Sequence, residues 1–330
     1  MKKDKTRQEI FSLLRNKIPR EPGVYLFSDQ NGDIMYVGKS VNLRQRVSSY
    51  FRGDMAKLDY RIREMVFNIG DIDYYETSTE LLALLLEDAL IKRYQPRHNV
   101  RQQQYLGYQY ILLTEGKYPT CRMISHVEDP GRGQIFGPFK SKFFVRDLLW
   151  IVRRYLDLRS CEEIDPLGFS LSYEFGYCAG PCRGKISPEA YSHIVERVID
   201  FLNGNDEYVI VRLTEAMEKA AGVLQFEKAE ELKERIDFCK RFCARQRFLH
   251  CFKEQNLTIR ENGIHGTTYE FEKGKFKNLK ASDPVNHDIT SFLQQEPEDA
   301  NQDPRFLLDR ANIVYSWIHN EKNECEYTFE

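Results

Sequence analysis

Two short β-forming runs, GVYLFSD and IMYVGKS (residues 23–29 and 34–40), flank an Asn31-Gly32 pair, an arrangement that constrains how this segment can pair. Asn-Gly accepts the positive φ values of tight hairpin turns, so an antiparallel hairpin is expected here. Asn42 is placed to cap a helix through LRQRVSSYF, and a second helical stretch follows in LDYRIREMVF. DIDYYETS alternates as a strand. TELLALLLEDALIKRY then reads as a long helix capped by Ser78 or Thr79 and stopped before Pro96. Residues 21–100 are therefore expected to form a small three-stranded antiparallel sheet flanked by helices.

The whole chain reads as α+β, in five parts. An N-terminal extension (1–20) precedes the small sheet domain (21–100). A middle region (101–186) has strand-like runs between 105 and 140, a helix through FFVRDLLWIVRRYLDL, and the loop-rich stretch LRSCEEIDPLGFSLSYEFGYCAGPCRG. Residues 187–251 are helical in pattern. An acidic α+β tail (252–330) mixes strand-like runs such as GTTYEF with a last helix around FLLDRANIVYSWI, and Tyr269, Phe271, Phe276, Trp317 and Tyr327 are its candidate core or a docking surface. No internal repeat is visible.

Composition narrows the function classes. No apolar run approaches the ~18 residues of a membrane span, and MKKDKTRQEI lacks the apolar stretch of a signal peptide, so the cytoplasm is the expected location. The eight cysteines are spread over 330 residues, a pattern of thiols or metal ligands more than of disulfides. A net charge of -2 conceals an asymmetry. From Tyr36 to Arg63 seven cations (Lys39, Arg44, Arg46, Arg52, Lys57, Arg61, Arg63) face two acids, whereas from Phe252 onward nine face fifteen. The first segment suits a polyanion such as DNA, and the second repels one.

Glu87 is the unusual residue of the long helix, because LLALLLEDALIK is apolar nearly all the way round. A carboxylate there must be paired, protonated or bound to a metal, since an isolated buried charge costs several kcal/mol. PGVY, YVGK, LRQR and LLEDALIKRYQPRHNV, in this order and at these separations, closely resemble the GIY-YIG nuclease domain in its UvrC variety, from about Glu21 to Asn99. The resemblance implies a metal-dependent phosphodiesterase that nicks one DNA strand. It places the signature tyrosines on Tyr25 and Tyr36, the lysine on Lys39, the arginine on Arg46 and the metal-binding glutamate on Glu87, with Tyr50 and Asn99 as neighbours in the site. His98 departs from the pattern, which commonly has Tyr.

The residue types suit the chemistry. Phosphodiester hydrolysis needs an activated water and donors for the charge that grows in the transition state. One carboxylate suffices for a magnesium or manganese ion that keeps most of its waters, and Arg46 offers an always-charged planar fork. Lys39 and Arg46 are expected to favour a phenolate on a tyrosine whose ordinary pKa is about 10, and either Tyr25 or Tyr36 could then take a proton from water.

Cys161, Cys178 and Cys182 sit in a Gly- and Pro-containing loop ending CAGPC, a spacing suited to a metal or iron-sulfur site or to buried thiols. The UvrC resemblance continues here and implies a four-cysteine cluster, but its second position falls on Ser170, so the cluster is lost, has three cysteine ligands, or recruits another thiol such as Cys121. RLTEAMEKAAGVLQFEKAEELKERIDFC places Leu213, Met217, Ala221 and Leu224 on one helical face and Phe226, Ala229, Leu232, Ile236 and Cys239 on another, an antiparallel helix pair. Residues 212–239 resemble the UVR motif through which UvrB and UvrC associate, which implies docking of UvrB, and indirectly UvrA, through Phe226, Glu227, Leu232 and Arg235. Cys239 and Cys243 read as packing.

The UvrC resemblance further implies an RNase H-like domain and helix-hairpin-helix motifs, for which residues 252–330 are too few. The expected economy is that of a one-site, Cho-like nuclease making the 3' incision of nucleotide excision repair. A Uvr-independent structure-specific or mobile-element nuclease, or a non-catalytic adaptor binding UvrB, are the alternatives.

Overall fold

The computed structural model describes residues 18–51, 59–99, 108–125, 133–139, 141–161, 171–262, 266–280, 287–295 and 304–330. The chain divides into two compact units, Met1–Gln104 with Cys251–Glu330, and Tyr105–His250. The N-terminal extension before Ile18, Arg52, Lys57 and Ser170 lie outside the described residues.

The first unit opens with β1 (Gly23–Ser28), β2 (Ile34–Ser40), α1 (Leu43–Phe51), α2 (Tyr60–Phe67), β3 (Asp71–Glu76) and α3 (Glu80–Tyr94). Its sheet has the order β2-β1-β3 with both pairings antiparallel. The expected hairpin is present, but its turn is wider than the tight form. Only Gly32 takes a positive φ, of +90°, while the Asp29 carboxylate accepts hydrogen bonds from the Asn31 and Asp33 backbone N–H groups at 2.9 and 3.1 Å. Asn42 caps α1 by accepting from Gln45 N–H, Asp59 caps α2, and Thr79, not Ser78, caps α3 by accepting from Leu82 N–H. Gln95, at φ 45°, ends α3 in the left-handed region just before Pro96.

The apolar girth of α3 has a structural cause. One side lies on β1 and β2, and the other is covered by helices of the tail. That tail begins in the last turn of α8 (Phe226–Glu254) and continues as β7 (Asn256–Glu261), β8 (Thr268–Glu272), β9 (Lys275–Lys280), α9 (His287–Gln294), α10 (Pro304–Ile318) and β10 (Cys325–Phe329). Its antiparallel sheet has the order β10-β7-β8-β9, over a core that includes Phe252, Tyr269, Phe271, Phe276 and Trp317. Tyr327, a fifth candidate for this core, is exposed on β10.

Three contacts fasten α3 to the tail. The Thr79 and Tyr269 hydroxyls share a hydrogen bond at its N-terminus. At its C-terminus Lys92 binds Asp88 at 2.6 Å and the Phe306 carbonyl at 3.1 Å, and Arg93 lies over the Phe292 ring at 5.0 Å. Lys92 is almost fully buried, which is tolerable because its ammonium has both a carboxylate and a carbonyl to replace water.

In the second unit β4 (Gln109–Thr114), β5 (Cys121–Ile124) and β6 (Gly133–Phe139) form a sheet of order β5-β4-β6. Then come α4 (Lys142–Tyr155), the short α5 (Leu171–Glu174), a 3-10 turn at Pro181–Arg183, α6 (Pro188–Asn203), α7 (Glu207–Gly222) and most of α8. Ser141 and Ser187 cap α4 and α6. A continuous core joins Ile111, Leu148, Val152, Phe201, Leu213, Leu232, Ile236, Cys239, Phe242 and Cys243.

The helix pair α7–α8 departs from the expected seam at its tip. Leu213, Leu232, Ile236 and Cys239 are buried as the spacing predicts, but Leu224 takes φ 59° in the connection and, with Phe226, is exposed. The tight turn carries both side chains past the last packed layer of the pair.

Candidate active site

The site is built where β1 and β2 face α1 and α3. Strand register sets Tyr25 opposite Gly38 and Phe27 opposite Tyr36. Gly38 is required there because the Tyr25 ring lies across its backbone: a Cβ at residue 38 would come within 2.5 Å of the Tyr25 hydroxyl. Tyr25, Tyr36 and Tyr50 form an aromatic cluster with ring centroids 6.0 to 6.4 Å apart. The hydroxyls of Tyr25 and Tyr50 share a hydrogen bond of 2.9 Å. Arg46, one helical turn before Tyr50, donates from Nε to the Tyr25 hydroxyl at 3.4 Å and lies 5.2 Å from the Tyr50 ring centre.

Glu87 reaches the same corner from α3. Its Oε1 accepts the Lys39 backbone N–H at 3.0 Å, which ties the end of β2 to the helix. The Lys39 ammonium turns instead to Glu80 at 2.9 Å. Among the described residues no side-chain cation forms an ion pair with Glu87, and burial pushes its carboxyl above the usual carboxylate range despite the Lys39 N–H. The carboxylate is also close enough to Tyr36 to help raise that phenol.

The tyrosines correct one expectation. Burial, followed by the neighbouring Tyr50, pushes Tyr36 up to about 12, and burial with Tyr50 and Tyr36 pushes Tyr25 well above its ordinary value, despite the hydrogen bond from Arg46. Desolvation of a phenolate outweighs one guanidinium at the edge of the cluster, and the Lys39 ammonium is engaged elsewhere. Both phenols are therefore neutral hydrogen-bonding groups near pH 7 in the metal-free protein.

Asn99 binds the backbone of β2. Its Oδ1 accepts the Val37 N–H at 2.9 Å and its Nδ2 donates to the Val37 carbonyl at 2.7 Å. It ties down the β2 segment between Tyr36 and Gly38. His98, the departure from the pattern, donates its backbone N–H to the Met35 carbonyl at 3.0 Å.

Among the described residues the cations of the basic segment divide between packing and surface. Arg44 is spent on the Ile18 carbonyl at 2.6 Å, while Arg61 and Arg63 stand exposed on α2, with Arg63 over the Tyr60 ring at 5.8 Å. Glu80 and Asn99 Nδ2 would have been hard to find in the sequence. The glycine of YVGK was the visible sign of a ring packed across the strand.

Two family models match this chain: the UvrC-like GIY-YIG domain over residues 21–100 and the UvrC/Cho excinuclease middle domain over residues 108–201. Over residues 21–201 the chain belongs to the UvrC family. The UvrABC system protein C of Methanothermobacter thermautotrophicus is 37% identical over 322 residues, covering 93% of this chain and 54% of that protein. That of Acetivibrio thermocellus is 35% identical over 333 residues, 94% of this chain and 53% of that protein. The chain thus spans about half the length of the curated relatives it matches. A crystal structure of the GIY-YIG N-terminal endonuclease domain of Thermotoga maritima UvrC, bound to magnesium as its catalytic divalent cation, is 28% identical, covers 27% of this chain and 94% of that one, and has a TM-score of 0.24.

The remaining candidates divide. Cys161, Cys178 and Cys182 approach one another closely enough for the other two to raise Cys178, whose thiol burial already pushes up, and Gly180 N–H donates to its sulfur. Among the described residues no group of three His, Cys, Asp or Glu is arranged to hold a metal ion, so the iron-sulfur expectation finds no support in this geometry. Cys121 is buried in β5, with its thiol pushed up to about 12 by burial. Cys239 and Cys243 are core thiols. On the hairpin, Leu232 is 4% exposed and Arg235 binds Asp147 at 3.2 Å, so both serve their own unit. Phe226, 65% exposed, and Glu227 stay open to a partner. No helix of the described residues is long and apolar enough to cross a membrane.

Proposed function

We propose that this chain is a divalent-metal-dependent DNA endonuclease of excision repair, acting in the cytoplasm, which makes one single-strand incision on the 3' side of a lesion after recruitment by UvrB. The observation that carries this reading is Glu87: a largely desolvated, half-buried carboxylate that has no ion-pair partner among the described residues and lies beside Tyr36 and the Tyr25–Tyr50–Arg46 network. Such a group is costly unless a cation completes it. Its second oxygen is left for magnesium or manganese, which when bound supplies charge neutralisation at the phosphate and a more acidic water.

The protein groups have separable roles. Arg46 offers its remaining N–H donors to a phosphoryl oxygen, with the Tyr25 contact fixing its plane. Tyr36, the more exposed phenol and the nearer to Glu87, is the group whose proton a cation at Glu87 would loosen, which makes it the candidate base. Tyr25, buried and bonded to Tyr50, orients Arg46. Lys39 holds Glu87 through its backbone and carries a surface charge suited to DNA, as do Arg61 and Arg63. The exposed tip of α7–α8 supports UvrB docking, and through it a place beside UvrA.

The test is incision of a lesion-containing duplex with magnesium, with and without UvrA and UvrB. A single 3' nick that requires UvrB supports the proposal. Lesion-independent cutting of branched DNA assigns the site to a Uvr-independent nuclease, and DNA or UvrB binding with no cutting under any divalent metal assigns it to an adaptor.

A further inference from the structure

The outer face of α4 belongs to the second unit, whereas the Glu87 site is built within the first. Phe143, Arg146, Trp150 and Arg154 follow one another at steps of three, four and four residues, which puts them on one side of the helix. Phe143 is 60% exposed and Trp150 40%, so both rings are open to a ligand. Each ring carries a cation: Arg146 lies 5.0 Å from the Phe143 centre, and Arg235 of α8 lies 5.0 Å from that of Trp150. The row is extended by Arg154, 3.4 Å from the centre of Tyr177, and by Phe175, stacked on Tyr177 at 6.0 Å and itself exposed.

Charge on this surface is one-sided. Asp147 is bound to Arg235, and Glu174 lies 4.0 Å from Arg183. Lys142, Arg146 and Arg154 have no ion-pair partner among the described residues, and Glu231 is an acid at the margin, near Tyr155. A hydrophobic protein partner would have to strip water from these exposed or half-buried cations at a cost, whereas an aromatic polyanion uses both features. Guanidinium planes and aromatic rings stack bases, and the same cations meet phosphates. From residue 143 to 154 a helix advances about 16 Å, the length of about five stacked nucleotides.

We propose that the α4 stripe, Phe143–Arg146–Trp150–Arg154 with Tyr177 and Phe175, is a binding site for single-stranded DNA, the chemical form of a strand separated around a lesion. It binds by stacking and phosphate contact without sequence preference. The site belongs to the second unit alone and does not depend on whether Glu87 supports cutting.

Trp150 reports on its own site, because the chain has only two tryptophans. Trp317 is buried in the tail. In a Trp317→Phe, Glu87→Gln protein, titration with oligo(dT) in EDTA is expected to quench Trp150 emission, with a midpoint that rises with salt. Phe143→Ala with Trp150→Ala, and separately Arg146→Ala with Arg154→Ala, are expected to weaken oligo(dT) binding about tenfold by fluorescence anisotropy, with circular dichroism unchanged. Conservative Trp150→Phe should restore most of the affinity. Unquenched Trp150 at saturating oligonucleotide, or unchanged affinity in both folded double variants, overturns the proposal. Loss of UvrB binding with oligo(dT) binding intact overturns it as well and marks the stripe as a protein surface. Absence of nicking by the wild-type protein, with these binding results intact, would fail only the nuclease reading.

Discussion

The β1–β2 corner and the α7–α8 hairpin both carry sequence motifs, yet they use their residues in opposite ways. At the corner Tyr25, Tyr36, Arg46, Tyr50 and Glu87 arrive from four elements and turn toward one another. In the hairpin Leu213, Leu232 and Ile236 turn into the core of their own unit, while the apolar side chains of the turn, Val223, Leu224 and Phe226, face outward. A motif can mark a site or mark the fold that presents one. An unmet chemical need separates the two: Glu87 is half-buried with no ion-pair partner among the described residues, whereas Leu232 is buried in an apolar core that satisfies it.

Substitutions can break this contrast, the most severe first. Glu87→Ala is expected to lower nicking by about 10³-fold while leaving DNA affinity within about twofold, because the surface cations are untouched. Nicking assays beside anisotropy check this, and retained metal-dependent cleavage would refute the site. Leu232→Ala should cost about 2–5 kcal/mol of stability in urea unfolding, whereas Phe226→Ser should stay within about 0.5 kcal/mol and weaken UvrB binding. Equal stability losses in both would erase the distinction between packed seam and exposed tip.

Asn99→Ala removes both hydrogen bonds to Val37 and should cost about 1–3 kcal/mol. Its nicking rate should fall through misplacement of Tyr36, with metal affinity nearly unchanged. Falsified would be the positioning role if the rate stayed at the wild-type level in a folded variant.

The smallest effect concerns pH. Burial raises the folded pKa of Glu87 above its ordinary 4.5, so the folded state holds this proton more tightly than the unfolded one. The associated stability is full below the unfolded pKa and is lost as pH rises through the folded pKa. Without metal, Glu87→Gln should therefore melt a few degrees above wild type at alkaline pH, with the gap closing on acidification. Added magnesium should reverse the order, and metal affinity should fall as pH drops through the raised pKa.

Much of the corner was legible because its signals are local. The Asn31-Gly32 turn, the Asn42 and Thr79 caps and the Pro96 stop each act over a few residues, and together they set the sheet and helices. Asn99 was legible as a member of the site but not in its role, since a side-chain amide clamping a backbone 62 residues away leaves no local pattern. The protonation of the tyrosines was misjudged for a related reason. Sequence shows which charges are near, but the desolvation that outweighs them depends on how the rings pack.

By itself the sequence determined the strand hairpin, the main elements of the small sheet domain and the family, and it named residues whose types suit phosphodiester chemistry, because these rest on residue type and short-range spacing. Tertiary structure alone decided that Lys39 serves Glu87 through its backbone, that Thr79, Lys92 and Arg93 fasten the Glu87 helix to the tail, and that Leu224 and Phe226 stand exposed at the tip of the α7–α8 hairpin. Those outcomes come from competition for burial and hydrogen-bond partners among segments far apart in the chain.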